Sequence, residues 1–335
     1  MKSRLIILLL LILTLGIIIL RSDINKVWKY LLEVRWDWVF IVILINFFIT
    51  FLEVIRWKLI ISPIKKIGIM ELLTAFLIGV VGNIFMPLRI GDGIRAYYLS
   101  KKDNIKLTSS LSTVMADYFL NAVYFVVFII IVFFAFPIPI HVQHLRFLIV
   151  ALIITGLFFL FIQLPFSKEI KNKIKKILGN KISEKISLFR TGLSAFRNVN
   201  VIINTSIISI VIWGSKTAMI WSMIKAFHLQ LYIMASAVIV IISNISIALI
   251  NTPANIGGFE LSTVGALKIF DVDIEQAISY AILLHLVEVI PIIIFSFLLF
   301  GYKGLSFKKI LLNKSFSNIQ NVSPNYEKDN ENFIK

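Results

Sequence analysis

Long runs of apolar residues limit most strongly what this chain can fold into. Of its 335 residues, 59% are hydrophobic and 16% are charged, whereas soluble domains have about 45–50% apolar and about 25% charged residues. An α-helix needs about 20 apolar residues to cross the hydrocarbon core of a bilayer. We therefore expect an all-α integral membrane protein. Six runs predict spanning helices, at 4–20, 38–55, 109–136, 146–165, 201–227 and 275–301.

Two further apolar stretches, 71–87 and 233–250, bring the number of apolar segments to eight but do not resemble simple spans. Each runs into a break rich in Gly, Pro and polar residues, at 82–95 and 251–260. Irregular backbone at membrane depth persists only where protein or a water-filled cavity satisfies its polar groups. We therefore predict two re-entrant helical hairpins in addition to the six spans.

The charge distribution supports this path. The chain has 34 Lys and Arg against 18 Asp and Glu, a net charge of +16. With six spans and two hairpins, most of the cations face the cytoplasm, as the positive-inside rule requires. This orientation places both termini in the cytoplasm. We expect a multi-pass protein of a prokaryotic plasma membrane. We do not expect nucleic-acid binding, because no soluble basic module is present.

The predicted segments have an internal order. Residues 1–312 form a polytopic membrane domain with halves 1–145 and 146–312, each holding two spans, a hairpin and one more span. Three crossings per half is an odd number, so the second half must be inverted, and broken segments in inverted repeats indicate a mid-membrane substrate site. Segment 166–200 is predicted as a basic amphipathic cytoplasmic helix, and 313–335 as a disordered polar tail.

The first break carries residues suited to an anion. Arg89 and Arg95 flank a Gly-Asp-Gly turn and can converge on one phosphate, because guanidinium binds phosphate bidentately. The glycines let backbone amides approach a headgroup. The candidate residues of this break are Asn83, Pro87, Arg89, Gly91, Asp92 and Arg95.

In the second break Pro253 ends the preceding helix, and Gly257 and Gly258 precede a new one. Backbone amides at a helix start favour anions. Glu260, in the first turn, either pairs with an arginine of the first break or faces a cationic headgroup. Asp117 lies inside a span and needs a partner or water.

Other polar residues have simpler interpretations. Glu53 and Arg56 are one helical turn apart, which favours a local ion pair. His285 and Glu288 have the spacing of two metal ligands, but no third ligand is in view. The chain has no cysteine, which excludes thiolate sites. We therefore expect no metal, no cofactor and no catalytic residue.

At the two breaks the sequence resembles the transmembrane, flippase-like region of lysylphosphatidylglycerol synthases. The family signature G/N-x-x-x-P-x-R-x-G-[DE]-x-x-R matches from Asn83 to Arg95, and P-G-G-x-G-x-x-E matches from Pro253 to Glu260. Ala254-Asn255 replaces the common Gly-Gly of the second signature. The resemblance covers roughly residues 5–302.

The sequence departs from the family in two places. The family often has a Glu-Arg pair followed by Asp in the span after the first break, and here only the acid, Asp117, is kept. A Tyr-Arg pair common in the last span is replaced near His285. Mechanisms that need those arginines do not transfer to this chain.

The resemblance implies a lipid translocator that moves a phospholipid or a polyprenyl-phosphate-type lipid between leaflets through a polar cavity. Arg89 and Arg95 would bind the phosphate, while Glu260 and Asp117 would balance charge. We expect a standalone member without the aminoacyltransferase domain, and hence a transporter rather than an enzyme. The alternatives are a membrane-embedded lipid transferase, similar to phosphatidylglycerol lysyltransferase, and a non-catalytic partner of a separate transferase. The expected partner is an anionic membrane lipid.

Overall fold

The computed structural model describes residues 23–86, 89–135, 196, 198–250 and 252–305. Within these ranges every regular element is helical, which confirms the predicted class. A 3₁₀ turn, Pro253–Asn255, lies between the seventh and eighth α-helices. The α-helices are α1 (Ile24–Leu32), α2 (Trp36–Ile61), α3 (Ile69–Phe85), α4 (Ile90–Asp103), α5 (Leu107–Ala135), α6 (Val199–Ala226), α7 (Ile233–Ile250), α8 (Gly258–Lys268) and α9 (Ile274–Tyr302).

Four of the described helices, α2, α5, α6 and α9, are long and apolar enough to cross a membrane. The bounds of each helix agree to within a few residues with those of a span predicted from hydropathy. The exception is the C-terminal end of α2, which extends six residues beyond the predicted span. Many of their large apolar side chains are exposed, among them Phe40, Phe48 and Leu298. A helix with apolar residues all round is typical of a lipid environment. The chain is therefore a multi-pass membrane protein.

Several predictions lie outside the described residues. The predicted spans 4–20 and 146–165 and the tail 313–335 belong to this group. The amphipathic segment 166–200 is also outside, except for residue 196 and for 198–200, where α6 begins.

The two broken segments each form a pair of short helices in contact with each other. α3 packs against α4, and α7 packs against α8. With 17 residues, α3 is about 25 Å long at about 1.5 Å per residue, less than the roughly 30 Å hydrocarbon core. In each pair, the Gly/Pro/polar break identified in the sequence lies between the two helices or at their facing ends.

The order span, helix pair, span occurs twice in the described residues, as α2 to α5 and as α6 to α9. The first members of the two series, α2 and α6, share the most extensive helix contact. α3 contacts both α9 and the 3₁₀ turn, so the two breaks lie close to each other. This packing positions the candidate site.

The short helix α1 was not predicted from the sequence. Asp23 caps it by accepting hydrogen bonds from the amides of Asn25 and Lys26. It packs on α9, where the Ser279 hydroxyl donates to the carbonyl of Val27 at 3.0 Å. With nine residues and two lysines it falls below the length and hydropathy of a span.

Candidate functional site

A cavity of about 380 Å³ opens where the two breaks meet. Its walls come from α2 to α9 together with the 3₁₀ turn, so both halves of the described chain contribute. Asparagine amides form part of the wall at positions 46, 83, 121 and 244. Eight charged side chains line it: the cationic Arg56, Arg89, Arg95 and Lys216, and the acidic Glu53, Asp92, Asp117 and Glu288.

Arg89 stands at the entry to α4. Its backbone is in the left-handed region, with a φ of 53°, and the helix begins at the next residue. The guanidinium lies 5.1 Å from the ring centroid of Tyr118. No carboxylate of the described residues lies within 4.0 Å of it. Arg89 therefore offers hydrogen-bond donors to the cavity, while its predicted neighbour Pro87 lies outside the described residues.

Arg95 has a different environment, because it is held inside the protein and is 3% exposed. Its guanidinium lies 4.9, 5.2 and 5.7 Å from the ring centroids of Trp57, Phe76 and Tyr118. Its Nε is 3.3 Å from Asp92 Oδ1, and the other oxygen of Asp92 accepts a hydrogen bond from the Tyr118 hydroxyl at 2.6 Å. Arg95 thus touches the cavity but also fastens α4 to α2, α3 and α5.

Gly91 belongs to the contact between α3 and α4 and does not line the cavity. A Cβ atom at this position would lie 2.1 Å from the Gly79 carbonyl oxygen and 2.5 Å from the Asn83 nitrogen. The glycine thus permits close helix packing, whereas the sequence had suggested backbone access for a headgroup. Asn83 does line the cavity, and its buried Oδ1 has no hydrogen-bond partner in the described part of the chain.

Asp117 finds its partner 61 residues away. The Nε of Arg56 lies 2.8 Å from Asp117 Oδ1, and both side chains are almost completely buried. The Nη1 of Arg56 also lies 3.4 Å from Asn121 Oδ1 and from Ser209 Oγ. The pair therefore joins α2 to α5 and α6, and Arg56 is paired across helices rather than with Glu53 one turn before it.

The second break is shaped by backbone in the left-handed region. Ala254 and Asn255 have φ values of 50° and 59°, and Gly257 has a φ of 85°. Glu260 Oε2 accepts a hydrogen bond from the Gly257 amide at 2.7 Å, which closes the start of α8. Gly258, the first residue of α8, accepts a hydrogen bond from the Ser246 hydroxyl.

Glu260 pairs with a histidine and not with an arginine of the first break. Its Oε1 lies 2.6 Å from His285 Nδ1. Of the predicted residues of this break, Pro253, Gly257, Gly258 and Glu260 lie behind the cavity wall, which is formed by their neighbours Thr252, Ala254, Asn255 and Phe259.

The sequence interpretation did not assign Lys216 or Glu288 to the site, although both line the cavity from spanning helices. Ionisable residues inside a span are the signal that could have found them. Within the described ranges, no group of three or more His, Cys, Asp or Glu residues could hold a metal ion.

Residues 4–296 match the family model of the lysylphosphatidylglycerol synthase TM region. The chain belongs to this family. The match includes both breaks, all four long described helices except the end of α9, and the whole cavity wall. Comparisons with curated proteins and with solved structures gave no match. Membership of the lysylphosphatidylglycerol synthase TM region family assigns the chain to membrane domains connected with lipid handling.

Proposed function

We propose that this protein translocates a phospholipid or a polyprenyl-phosphate-type lipid between leaflets, with the headgroup passing through the cavity between the two breaks. The observation that carries the proposal is Arg89, a half-buried arginine on the cavity wall with no ion-pair partner in the described part of the chain. The family membership supports a lipid as the molecule that enters.

The charges of the wall indicate which group Arg89 receives. Arg56 and Arg95 already have carboxylate partners, Asp117 and Asp92. Arg89 only stacks on Tyr118, which leaves its fork of N–H donors for a ligand. A guanidinium binds phosphate with two parallel hydrogen bonds, so Arg89 is the proposed phosphate site.

The remaining wall suits a polar headgroup. Transferring a charged headgroup from water without partners would cost several kcal/mol, so the cavity must supply them. The same wall also carries the polar or charged side chains of Asn121, Asn244, Lys216, Glu53 and Glu288. Two of their polar atoms are engaged, because Asn244 Nδ2 donates a hydrogen bond to the Val240 carbonyl and Asn121 Oδ1 lies 3.4 Å from Arg56 Nη1. The acyl chains would remain in the bilayer outside the cavity. A separately encoded lipid-modifying transferase would supply substrate to one leaflet.

The proposal includes the six-span topology with two re-entrant pairs, α3–α4 and α7–α8, in an inverted repeat with both termini in the cytoplasm. Because the chain has no cysteine, single cysteines test it directly. Lys102→Cys, at the end of α4, should be shielded from an impermeant thiol reagent added outside intact cells. Tyr232→Cys, which replaces a side chain that is 88% exposed between α6 and α7, should be labelled. External labelling of Lys102→Cys would contradict this path.

Transport itself is tested with purified protein in vesicles that contain a fluorescent phospholipid in both leaflets. Dithionite, added outside, quenches only lipid that reaches the outer leaflet. We expect Arg89→Ala to remove most of the protein-dependent quenching. Lys106→Ala, a change of an exposed cation outside the cavity, should leave it intact. Equal transport by Arg89→Ala and the wild type would refute the assignment of the phosphate site.

A further inference from the structure

His285 and Glu260 form a buried pair at the second break, and His285 is 9% exposed. The imidazole has a partner on each nitrogen. Nδ1 lies 2.6 Å from Glu260 Oε1, and Nε2 lies 2.8 Å from the carbonyl oxygen of Ala254. The ring thereby links α9 both to α8 and to the 3₁₀ turn.

Both partners are hydrogen-bond acceptors. A backbone carbonyl has no proton to give, and an ionised carboxylate only accepts. Glu260 also accepts from the Gly257 amide through its second oxygen. A neutral imidazole has one N–H and can donate in one direction only. The two contacts are satisfied together only if the pair holds one proton more than a neutral histidine and an ionised glutamate.

The proton count is the same whichever residue carries it. If His285 is an imidazolium, it donates from both nitrogens to Glu260 and Ala254. If Glu260 is protonated, its hydroxyl donates to Nδ1 and the Nε2–H group donates to Ala254. We propose that His285 and Glu260 are a proton-binding site, and that the bound proton holds the second break in the conformation described here.

Loss of the proton has a defined structural result. The remaining N–H stays on Nδ1, because an ionised carboxylate is a stronger acceptor than a carbonyl. The lone pair of Nε2 then faces the carbonyl oxygen of Ala254, and the contact between α9 and the 3₁₀ turn is lost. Ala254 and Asn255 are non-glycine residues with positive φ, a conformation that persists only where the surroundings hold it. Since α3 packs on this turn, its release also loosens the contact between the two breaks.

Charged groups of both signs face the His285–Glu260 pair from the helices around it. Glu288 lies one turn after His285 on the same helix, and Lys216 of α6 lines the cavity with it. From α2 and α4, Glu53 and Arg89 line the same cavity. The charges on the other helices packed on α9 are engaged or distant: Glu71 of α3 pairs with Lys303, and α1 contacts α9 near Ser279 with exposed Lys26 and Lys29.

The protonation state can be measured without any transported lipid. In protein with ¹⁵N-labelled histidine in lipid nanodiscs, the ring ¹⁵N shifts distinguish imidazolium from neutral imidazole, and His285→Gln assigns the signal. At about pH 7.5, where an exposed histidine is neutral, we expect His285 to be an imidazolium. If the ring is neutral, the proton must be on Glu260. An infrared band of a protonated carboxyl group, which the Glu260→Gln variant lacks, would then support the site. A neutral ring without that band overturns the proposal.

The structural consequence is tested by a cysteine on the turn itself. Asn255 lines the cavity, so the variant Asn255→Cys places a thiol there. Its rate of labelling by a water-soluble thiol reagent is divided at each pH by the rate for Tyr232→Cys, whose position is exposed. This division corrects for the increase in thiolate with pH. In the otherwise wild-type chain, we expect normalised labelling to increase several-fold from about pH 6 to about pH 9 as the proton leaves. Unchanged normalised labelling over that range would overturn the link between the proton and the break.

Two variants separate the proton from the contact. With Glu260→Gln, the amide still caps Gly257 and donates to Nδ1, so a neutral His285 keeps its bond to Ala254, and labelling should be slow at every pH. With His285→Gln the shorter side chain loses the contact to the turn, and labelling should be fast at every pH. Retention of the wild-type pH dependence in either variant would contradict the assignment.

The use of this proton in transport rests on the proposed function. In the vesicle assay, a pH difference across the membrane should change the rate for the wild type and leave the Glu260→Gln rate unchanged. If neither protein moves lipid, the translocation proposal fails, while the nanodisc and labelling results still decide the proton site.

Discussion

The two breaks of this protein occupy corresponding places in the two series of helices, but they are held by different chemistry. In the first, Arg95 is surrounded by three aromatic rings and Asp92. In the second, His285 and Glu260 hold a 3₁₀ turn. An arginine in a protein keeps its charge at every accessible pH, whereas a histidine can lose it. The first break is therefore a fixed element and the second a titratable one.

The backbone of the first break is also more firmly held than that of the second. In the first, α3 and α4 meet at glycines, where Gly82 and Gly91 leave no room for a further carbon atom. In the second, two consecutive non-glycine residues, Ala254 and Asn255, adopt left-handed conformations, and the Ala254 carbonyl is hydrogen-bonded to His285. Among the described residues of the first break, Arg89 alone is a non-glycine residue with a left-handed backbone. Close packing resists displacement, whereas a turn held by a few hydrogen bonds, among them the one between Ala254 and His285, can be released. If the protein translocates lipid as proposed, we expect the movement to be concentrated at the second break.

The largest effect on stability is expected from Arg95→Ala. The change leaves Asp92 without its cation and empties the space between the rings, and breaking a buried ion pair costs about 3–5 kcal/mol. Unfolding in mixed micelles, followed by intrinsic fluorescence, measures the loss. The matched change Arg89→Ala should cost no more than about 1 kcal/mol, because this side chain loses its contact with the Tyr118 ring but no carboxylate partner. Equal losses in the two variants would remove the distinction between a structural and a ligand-binding arginine.

Smaller changes in stability are expected when either of two glycines on α4, in the first break, is replaced by alanine. Gly91→Ala places a Cβ atom 2.1 Å from the Gly79 carbonyl oxygen, and such overpacking costs about 1–3 kcal/mol. At Gly93 a Cβ atom meets nothing within 4 Å, so Gly93→Ala should gain about 0.5–1 kcal/mol through helix propensity. The same micelle unfolding compares them. A tolerated Gly91→Ala would show that the first break is less rigid than its packing indicates.

The smallest effect concerns the backbone of the second break. Ala254 has a φ of 50°, so Ala254→Gly relieves a left-handed alanine and should gain up to about 1 kcal/mol. Ala266→Gly, in the interior of α8, should lose about 1 kcal/mol. Both are measured as shifts of the thermal-unfolding midpoint. A loss at position 254 equal to that at position 266 would mean that the turn is not strained.

The features of the fold that depend on hydropathy, namely the spanning helices and the two breaks, could be predicted from the sequence. Spans such as 201–227 were found to within two residues of α6, because a long apolar run has one solution in a bilayer. The two breaks were located by the same reasoning, as places where the apolar runs meet Gly and Pro. Helix α1 was missed because it is too short and too polar for that signal.

The pairings at the site could not be predicted in the same way. Arg56 and Asp117 are 61 residues apart, and Glu260 and His285 are 25 apart, so no local spacing connects them. Local spacing instead favoured Glu53 as the partner of Arg56. Sequence could identify an ionisable residue inside a span as needing a partner, whereas the choice of partner depends on how the helices pack.

The charges of the cavity have a consequence for the membrane potential. When all eight charged side chains of its wall are ionised, the four cationic and four acidic ones cancel, and a protonated His285 beside an ionised Glu260 adds no net charge. A voltage acts on net charge, at about 2.3 kcal/mol per elementary charge for each 100 mV. If the protein translocates lipid as proposed, and these groups move together, the protonated cavity without a bound lipid therefore changes its exposure from one side of the membrane to the other without electrical work. Only the net charge of a bound headgroup, or the departure of the proton, makes that step depend on voltage.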